Sequence, residues 1–337
     1  MVEKEDLIRC SAIVSDCRKE MSKRIVGQRE MIDGLLASLV AGGHILLEGV
    51  PGLAKTLAVK SLAQITGLDF KRIQFTPDLL PADLTGTMIF EQANGKFSVR
   101  KGPVFANVIL ADEINRAPAK VQSALLEAME EKQVTVGENS YPLPDPFFVL
   151  ATENPIEHEG TYSLPEAELD RFLMKLLITY PAPVEELDIV KNSHSLAVGS
   201  SAHQEPLNVV LTMEKLAFLR AIAQDIHIDE EISRYIVSIV TATRPALTRS
   251  RVEGTKSEDG VYRYVSFGAS PRASIALFRC CKILAMFDGR SFVSPEDVKM
   301  AALPVLRHRL VLSYEAEAEG MDADAVIERI LSHVPVP

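Results

Sequence analysis

The chain has 337 residues, enough for one large or two medium domains with a sizeable buried core. Hydrophobic residues make up 47% and charged residues 24%, as in an ordinary soluble globular protein. The formal net charge of −10 disfavours a general electrostatic pull toward nucleic acid, though not a local basic groove. No run of 18 apolar residues suggests a membrane span, Met1–Asp6 lacks the features of a secretory leader, and Cys10, Cys17, Cys280 and Cys281 show no CxxC spacing. Reduced core thiols and a cytoplasmic location are expected.

Glu5 to Lys23 reads as a partly apolar helix, followed by a turn at Val26-Gly27 and an apolar helix from Met31 to Ala41. The run His44 to Glu48 is a short strand. It leads into Gly49-Val50-Pro51-Gly52-Leu53-Ala54-Lys55-Thr56, and Leu57 continues as a helix. Strand, glycine-bearing loop and helix in that order form a P-loop. Its backbone N–H groups cradle phosphates, Lys55 reaches the β and γ oxygens, and the Thr56 hydroxyl takes Mg²⁺. Ala54 stands where GxxxxGK[ST] has its second glycine. Alanine impairs backbone approach little provided its φ is negative, and Gly52 keeps an unrestricted φ nearby.

Phe70 to Phe75 is expected as the second strand, Pro77 to Thr85 as loop, and Thr87–Glu91 with Lys96–Arg100 as a hairpin turned by Asn94-Gly95. Val108 to Glu113 is an apolar strand ending in two acids, at the end where α/β sheets bind ligands. Asp112 could enter the Mg²⁺ shell and Glu113 could polarise an attacking water. Surface acids at a strand end are the plain alternative, weakened by the upstream P-loop.

Pro118 opens an amphipathic helix with Val121, Leu125, Leu126 and Met129 on one face. A second hairpin, Gln133–Gly137 with Ser140–Leu143, precedes the strand Phe147–Thr152. That strand delivers Asn154, suited to orienting a water or to a turn before Pro155. Leu164 to Phe172 reads as a short helix carrying Arg171, whose bland reading is a surface ion pair with Asp170. Met174 to Thr179 is the expected last strand.

Pro181-Ala-Pro183 marks a boundary between residues 1–182 and 183–337, the latter helical to its end. Helices are expected over Glu185–Leu196, Met213–Asp225, Glu230–Arg244, Pro271–Met286 with Arg272 at its start, Ser294–Arg307 and Asp322–Ser332. Ala197–Pro206 reads as a polar loop and Thr248–Gly260 as an exposed excursion.

Taken together, GVPGLAKT, GPVFANVILADEINRAP, ATENPIEHEGTYSLPEAELDRF, GASPRAS and LRHRLVLS resemble AAA+ ATPases, and among them the MoxR family, from Val26 to about Ser313. Alanine at position 54 is itself usual in MoxR proteins. The two hairpins are similar to the inserts of a wider clade that also holds magnesium chelatase motor subunits and replicative helicases. The resemblance implies an α/β P-loop domain with a parallel sheet, followed by an all-helical lid. ATP would bind between them and against a neighbouring subunit, which implies a closed ring, most simply a hexamer.

It also implies roles. Gly49 to Leu57 would cradle ATP, with Val26 and Gly27 against the base; by itself, Val26-Gly27 is only a turn. Thr56 and Asp112 would hold Mg²⁺, and Glu113 would activate water. Asn154 looks like the first sensor, Arg171 like an arginine finger offered to a neighbour, and Arg272 like the lid's second sensor. Asn115, Arg116, Arg244 and Arg309 lie in matching stretches without an assigned role. Two departures are Glu153, where glutamine is more usual, and a longer excursion over residues 248–264. MoxR proteins typically work with von Willebrand factor A domain proteins, as chaperone-like agents of cofactor or metal insertion and complex maturation. A nucleic-acid motor of the same fold is the competing class, opposed by the acidic balance. A nucleotide-gated scaffold is a third, opposed by Glu113.

Overall fold

The computed structural model describes residues 2–50, 52–92, 95–155, 161–197, 206–245 and 261–337, the side chains of 192–197 and 261–262 excepted. Pro51, the Ala93-Asn94 turn tip, most of the expected polar loop before Pro206 and most of the 248–264 excursion lie outside these residues.

The chain divides into two compact units. A sheet unit comprises Ile13–Leu164 and Leu176–Leu216, and a helical unit comprises Met1–Ala12, Pro165–Lys175 and Ala217–Pro337. Helices α1 (Lys4–Ser22) and α2 (Arg29–Ala41) come first, then strand β1 (His44–Glu48), helix α3 (Lys55–Thr66) and strand β2 (Phe70–Gln74). The short helix α4 (Pro81–Thr85), expected as loop, precedes the hairpin β3 (Gly86–Glu91) and β4 (Lys96–Lys101). Strand β5 (Val108–Asp112), helix α5 (Ala119–Glu131), hairpin β6 (Gln133–Val136) and β7 (Asn139–Pro142), and strand β8 (Phe148–Glu153) follow.

One sheet of order β2-β5-β8-β1-β9 is formed with β9 (Phe172–Leu177), and the pairings of β2 with β5, β5 with β8 and β8 with β1 are all parallel. The three inner strands are nearly continuous apolar runs because helices bury both faces of a parallel sheet. Chain order reverses around β1, so its C-terminal end opens at a topological switch point where such sheets bind ligands.

His44 secures the start of β1. Its Nδ1 accepts from Val149 N at 3.0 Å, so the proton sits on Nε2 and is donated to Met129 O at 3.3 Å. The ring is fully enclosed, and burial pulls its pKa down to about 4.

Two expected elements are displaced. Helix α6 is a single turn, Glu166–Leu169, rather than Leu164–Phe172, and β9 begins two residues earlier than expected. Phe172, Leu173 and Met174 are buried, so the helix ends at Leu169 and the strand begins where the apolar run begins.

Helices α7 (Pro183–Ala197), α8 (Met213–Asp225), α9 (Glu230–Ala242), α10 (Pro271–Phe287), α11 (Pro295–Leu306), α12 (Tyr314–Ala318) and α13 (Ala323–His333) follow among the described residues. Ser294 and Asp297 form the capping box of α11, and Arg290 clamps the buried Asp297 at 2.5 and 2.7 Å. The helical region also carries a two-stranded antiparallel ribbon, β10 (Val265–Phe267) with β11 (Val311–Leu312), too short to leave a periodic signature. All four cysteines are free and buried.

Candidate active site

The P-loop leaves β1 and curls into α3. Gly52 has φ +88° with open space where a Cβ would stand. Ala54 has φ +57°, ψ +16°, which corrects the expectation of a negative φ: the loop needs a left-handed residue there, and alanine adopts it at a cost of about 1–2 kcal/mol. Its carbonyl accepts from Ala58 N at 2.9 Å, starting α3, and the N–H groups of the first turn have no intrahelical acceptor. Gly49 is packed so that a Cβ would lie 2.8 Å from Ile178 O. Val50, Leu53, Thr56 and Leu57 lie in the same loop and first turn, partly accessible.

The Lys55 ammonium donates to Gly49 O and, at 3.3 Å, to Glu153 O at the end of β8. Burial lowers its pKa, opposed by the carboxylates of Asp112, Glu113 and Glu48. The lysine thus sits at the sheet edge where the acids converge.

Asp112 ends β5 almost buried. One oxygen accepts from Thr152 Oγ1 at 2.7 Å, and the other from Arg72 Nε and Nη2 at 2.9 and 2.7 Å. Glu113 turns left-handed at φ +56°, and its N–H donates to Thr152 Oγ1 at 2.9 Å. Its Oε2 accepts from Gln74 Nε2 at 2.7 Å and Arg116 Nη1 at 2.8 Å. Asn154 is buried just past β8. Lys55, Asp112, Glu113 and Asn154 are therefore gathered in the sheet unit at the C-terminal ends of β1, β5 and β8.

The Val26-Gly27 turn precedes α2, with Gly27 and Gln28 both left-handed. A Cβ on Gly27, at φ +64°, would lie 2.3 Å from the carboxylate of Glu185, and Gln28 donates to Thr179 O at 2.9 Å. Arg171 and Arg272 belong to the helical unit. Arg272 stands in the first turn of α10, where its N–H donates to the Ser270 cap at 3.1 Å. Asp170, the neighbour of Arg171 in the plain reading, binds the buried Arg309 at 2.7 Å. Arg244 donates to Ala269 O at 2.9 Å, and Asn115 O accepts from Tyr162 N at 2.6 Å.

Arg72, Gln74 and Thr152 escaped the sequence reading. Each stands 39 or 40 residues from the acid it binds, on a neighbouring strand, where only strand register could reveal it.

The residues fit a magnesium nucleotide. A basic amine lies at a glycine-bearing loop and helix N-terminus, with a threonine hydroxyl in that turn and an aspartate at the adjoining strand end. Among the described residues no cluster of three His, Cys, Asp or Glu side chains could hold a metal without such a ligand, and no helix is long and apolar enough to cross a membrane.

The model of the ATPase family associated with various cellular activities matches residues 44–174, and that of the AAA lid domain matches residues 260–330. Chaperone MoxR1 of Mycobacterium tuberculosis is 46% identical over 94% of this chain and 81% of its own length. Protein MoxR of Paracoccus denitrificans is 32% identical over 96% of both. A crystal structure from Cytophaga hutchinsonii, provisionally described as an ATPase, superposes with a TM-score of 0.86 at 46% identity, covering 99% of this chain and 97% of that one.

Proposed function

The chain belongs to the MoxR family of AAA+ ATPases, and from that premise we propose that it hydrolyses ATP as a chaperone-like remodeller of protein partners. In this reading residues 1–182 bind nucleotide and residues 183–337 form the lid. The working form is a homo-hexameric ring in the cytoplasm, and a von Willebrand factor A domain protein brings clients for complex maturation or for cofactor or metal insertion.

The observation that supports it best is the acidic corner beside Lys55. Lys55 and the loop N–H groups would hold the phosphates, while Val26 and Gly27 would lie against the base. Thr56 and Asp112 would hold Mg²⁺, which supplies positive charge to the phosphate oxygens. Glu113 accepts the proton of the attacking water. Gln74 and Arg116 both converge on its Oε2, so Oε1 is the oxygen available to that proton. Asn154 orients the water, Arg171 is offered to the neighbouring subunit's nucleotide, and Arg272 serves as second sensor.

Calorimetric titration and phosphate release test the assignment. Lys55→Ala is expected to lose most ATP affinity, and Glu113→Gln to bind normally while turnover drops about 10²–10⁴-fold. Equal ATP affinity in Lys55→Ala and the unaltered protein would sink it.

One feature favours a nucleic-acid motor. On the β3–β4 hairpin Phe90 and Phe97 are exposed with ring centroids 5.2 Å apart, on strands that also carry Lys96, Arg100 and Lys101. The acidic balance and Glu138 on the other hairpin weigh against it. Several-fold, salt-sensitive stimulation of ATPase rate by DNA would reverse the order of the two readings.

A further inference from the structure

Arg309 is the most deeply enclosed arginine of the helical unit among the described residues, its side chain 3% exposed. All five of its N–H directions are used. Nε binds Asp170 Oδ1 at 2.7 Å, Nη1 binds Leu173 O at 3.1 Å and Val305 O, and Nη2 binds Phe172 O at 2.5 Å and Asp170 O at 3.3 Å. The guanidinium therefore holds backbone carbonyls on both sides of Arg171. The second carboxylate oxygen of Asp170 accepts from Ser270 Oγ at 2.7 Å, and the same hydroxyl caps α10 two residues before Arg272. His308 adds a hydrogen bond to Phe172 O at 3.1 Å.

Enclosing a guanidinium carries a desolvation penalty, and an apolar side chain of like volume often serves stability as well or better. What an apolar side chain cannot do is fix four carbonyls and one carboxylate at once. A planar five-donor fork can. Arg171 is thereby fastened at its backbone from both sides, and the turn bearing it is tied to the turn bearing Arg272.

We propose that Arg309, Asp170 and Ser270 are positioning residues that set Arg171 and the start of the Arg272 helix as one rigid piece, so that the arginine offered to a neighbouring subunit arrives pre-aligned. This rests on the trans role of Arg171 proposed above. An arginine supplied in trans is worth about 10³–10⁵ in rate in related phosphoryl transfers, and loosening its backbone forfeits part of that factor.

The test uses the full-length ring and subunit exchange. Asp170→Asn takes the counter-charge from Arg309, and Ser270→Ala removes only the tie to α10. Each retains Lys55, Thr56, Asp112 and Glu113, so each is expected to bind ATP with unchanged affinity. Hydrolysis is expected to fall at least tenfold in pure Asp170→Asn rings and several-fold in Ser270→Ala rings. Mixing either with Glu113→Gln subunits, which bring an intact Arg171, should raise activity well above both pure preparations, as it should for Arg171→Ala. Normal turnover in both variants overturns the proposal, and so does lost turnover that mixing fails to restore. Rescue of Arg171→Ala without rescue of the positioning variants defeats this inference alone, whereas failure to rescue Arg171→Ala defeats the trans reading and this inference with it. Should Asp170→Asn fail to fold, Ser270→Ala decides by the same criteria.

Discussion

The two units each pair a largely enclosed aspartate with an arginine, and the arginines stand in opposite surroundings. Arg72, which binds Asp112 in the sheet unit, is 50% exposed, while Arg309, which binds Asp170 in the helical unit, is 3% exposed. In the first pair the Arg72 guanidinium reaches water and can turn back to it, although Asp112 itself is nearly buried. The second has no water to fall back on, and its geometry is fixed when the unit folds. The same two residue types thus meet with the arginine at different depth in the two units.

The largest expected effect breaks this contrast directly. Arg309→Met should destabilise the protein by about 3–5 kcal/mol, because Asp170 loses its buried counter-ion and four carbonyls lose donors. Arg72→Met should cost less, about 1–2 kcal/mol, because the half-exposed Arg72 gives up little and Asp112 keeps its bond from Thr152. Urea denaturation of both variants measures the difference; equal losses would show that depth does not separate the pairs.

The next effect concerns the two enclosed histidines, one in each unit. Burial lowers the pKa of His44 to about 4, and burial together with Arg309 holds that of His308 well below the ordinary value of 6.5. Both are neutral when folded and gain protons on unfolding, so their stabilising contribution is complete above pH 6.5 and is lost as pH falls toward the folded values. For His44 the loss should reach about 2 kcal/mol by pH 5. Unfolding midpoints compared at pH 7.5 and 5.0 check this, and His44→Asn should show a shallower pH dependence. An unchanged slope in that variant would remove His44 from the account.

The smallest effect sharpens the view of the ligand loop. Ala54→Gly should raise stability without nucleotide by up to about 1 kcal/mol, since glycine relieves the left-handed strain but costs more chain entropy. A lowered melting temperature would mean that the methyl group contributes more than the strain removes.

The amino-acid sequence determined the order of elements in the sheet unit, because apolar runs, an Asn-Gly turn and a glycine-bearing loop are local signals. It also placed Lys55, Thr56, Asp112, Glu113 and Asn154 on strand ends and their loops, since a parallel sheet brings such ends to one edge whatever the intervening chain does. Helix starts at Pro271 and Pro295 were equally legible from proline and the serine caps before it.

Only the tertiary structure decided the partners. Gln74 meets Glu113 because β2 pairs β5 in the register that sets Gln74 beside Asp112, and nothing within either strand encodes that register. The left-handed turn at Ala54 follows from how the loop must close on α3, a conformation that alanine does not advertise. Asp170 follows the same rule over 139 residues. Beside Arg171 in sequence, it suggests an exposed pair, yet its carboxylate also reaches the buried Arg309. Local sequence selects elements through short-range backbone preference and apolar patterning. Which charges meet is settled by packing, because a buried charge must take whatever partner the fold brings within reach.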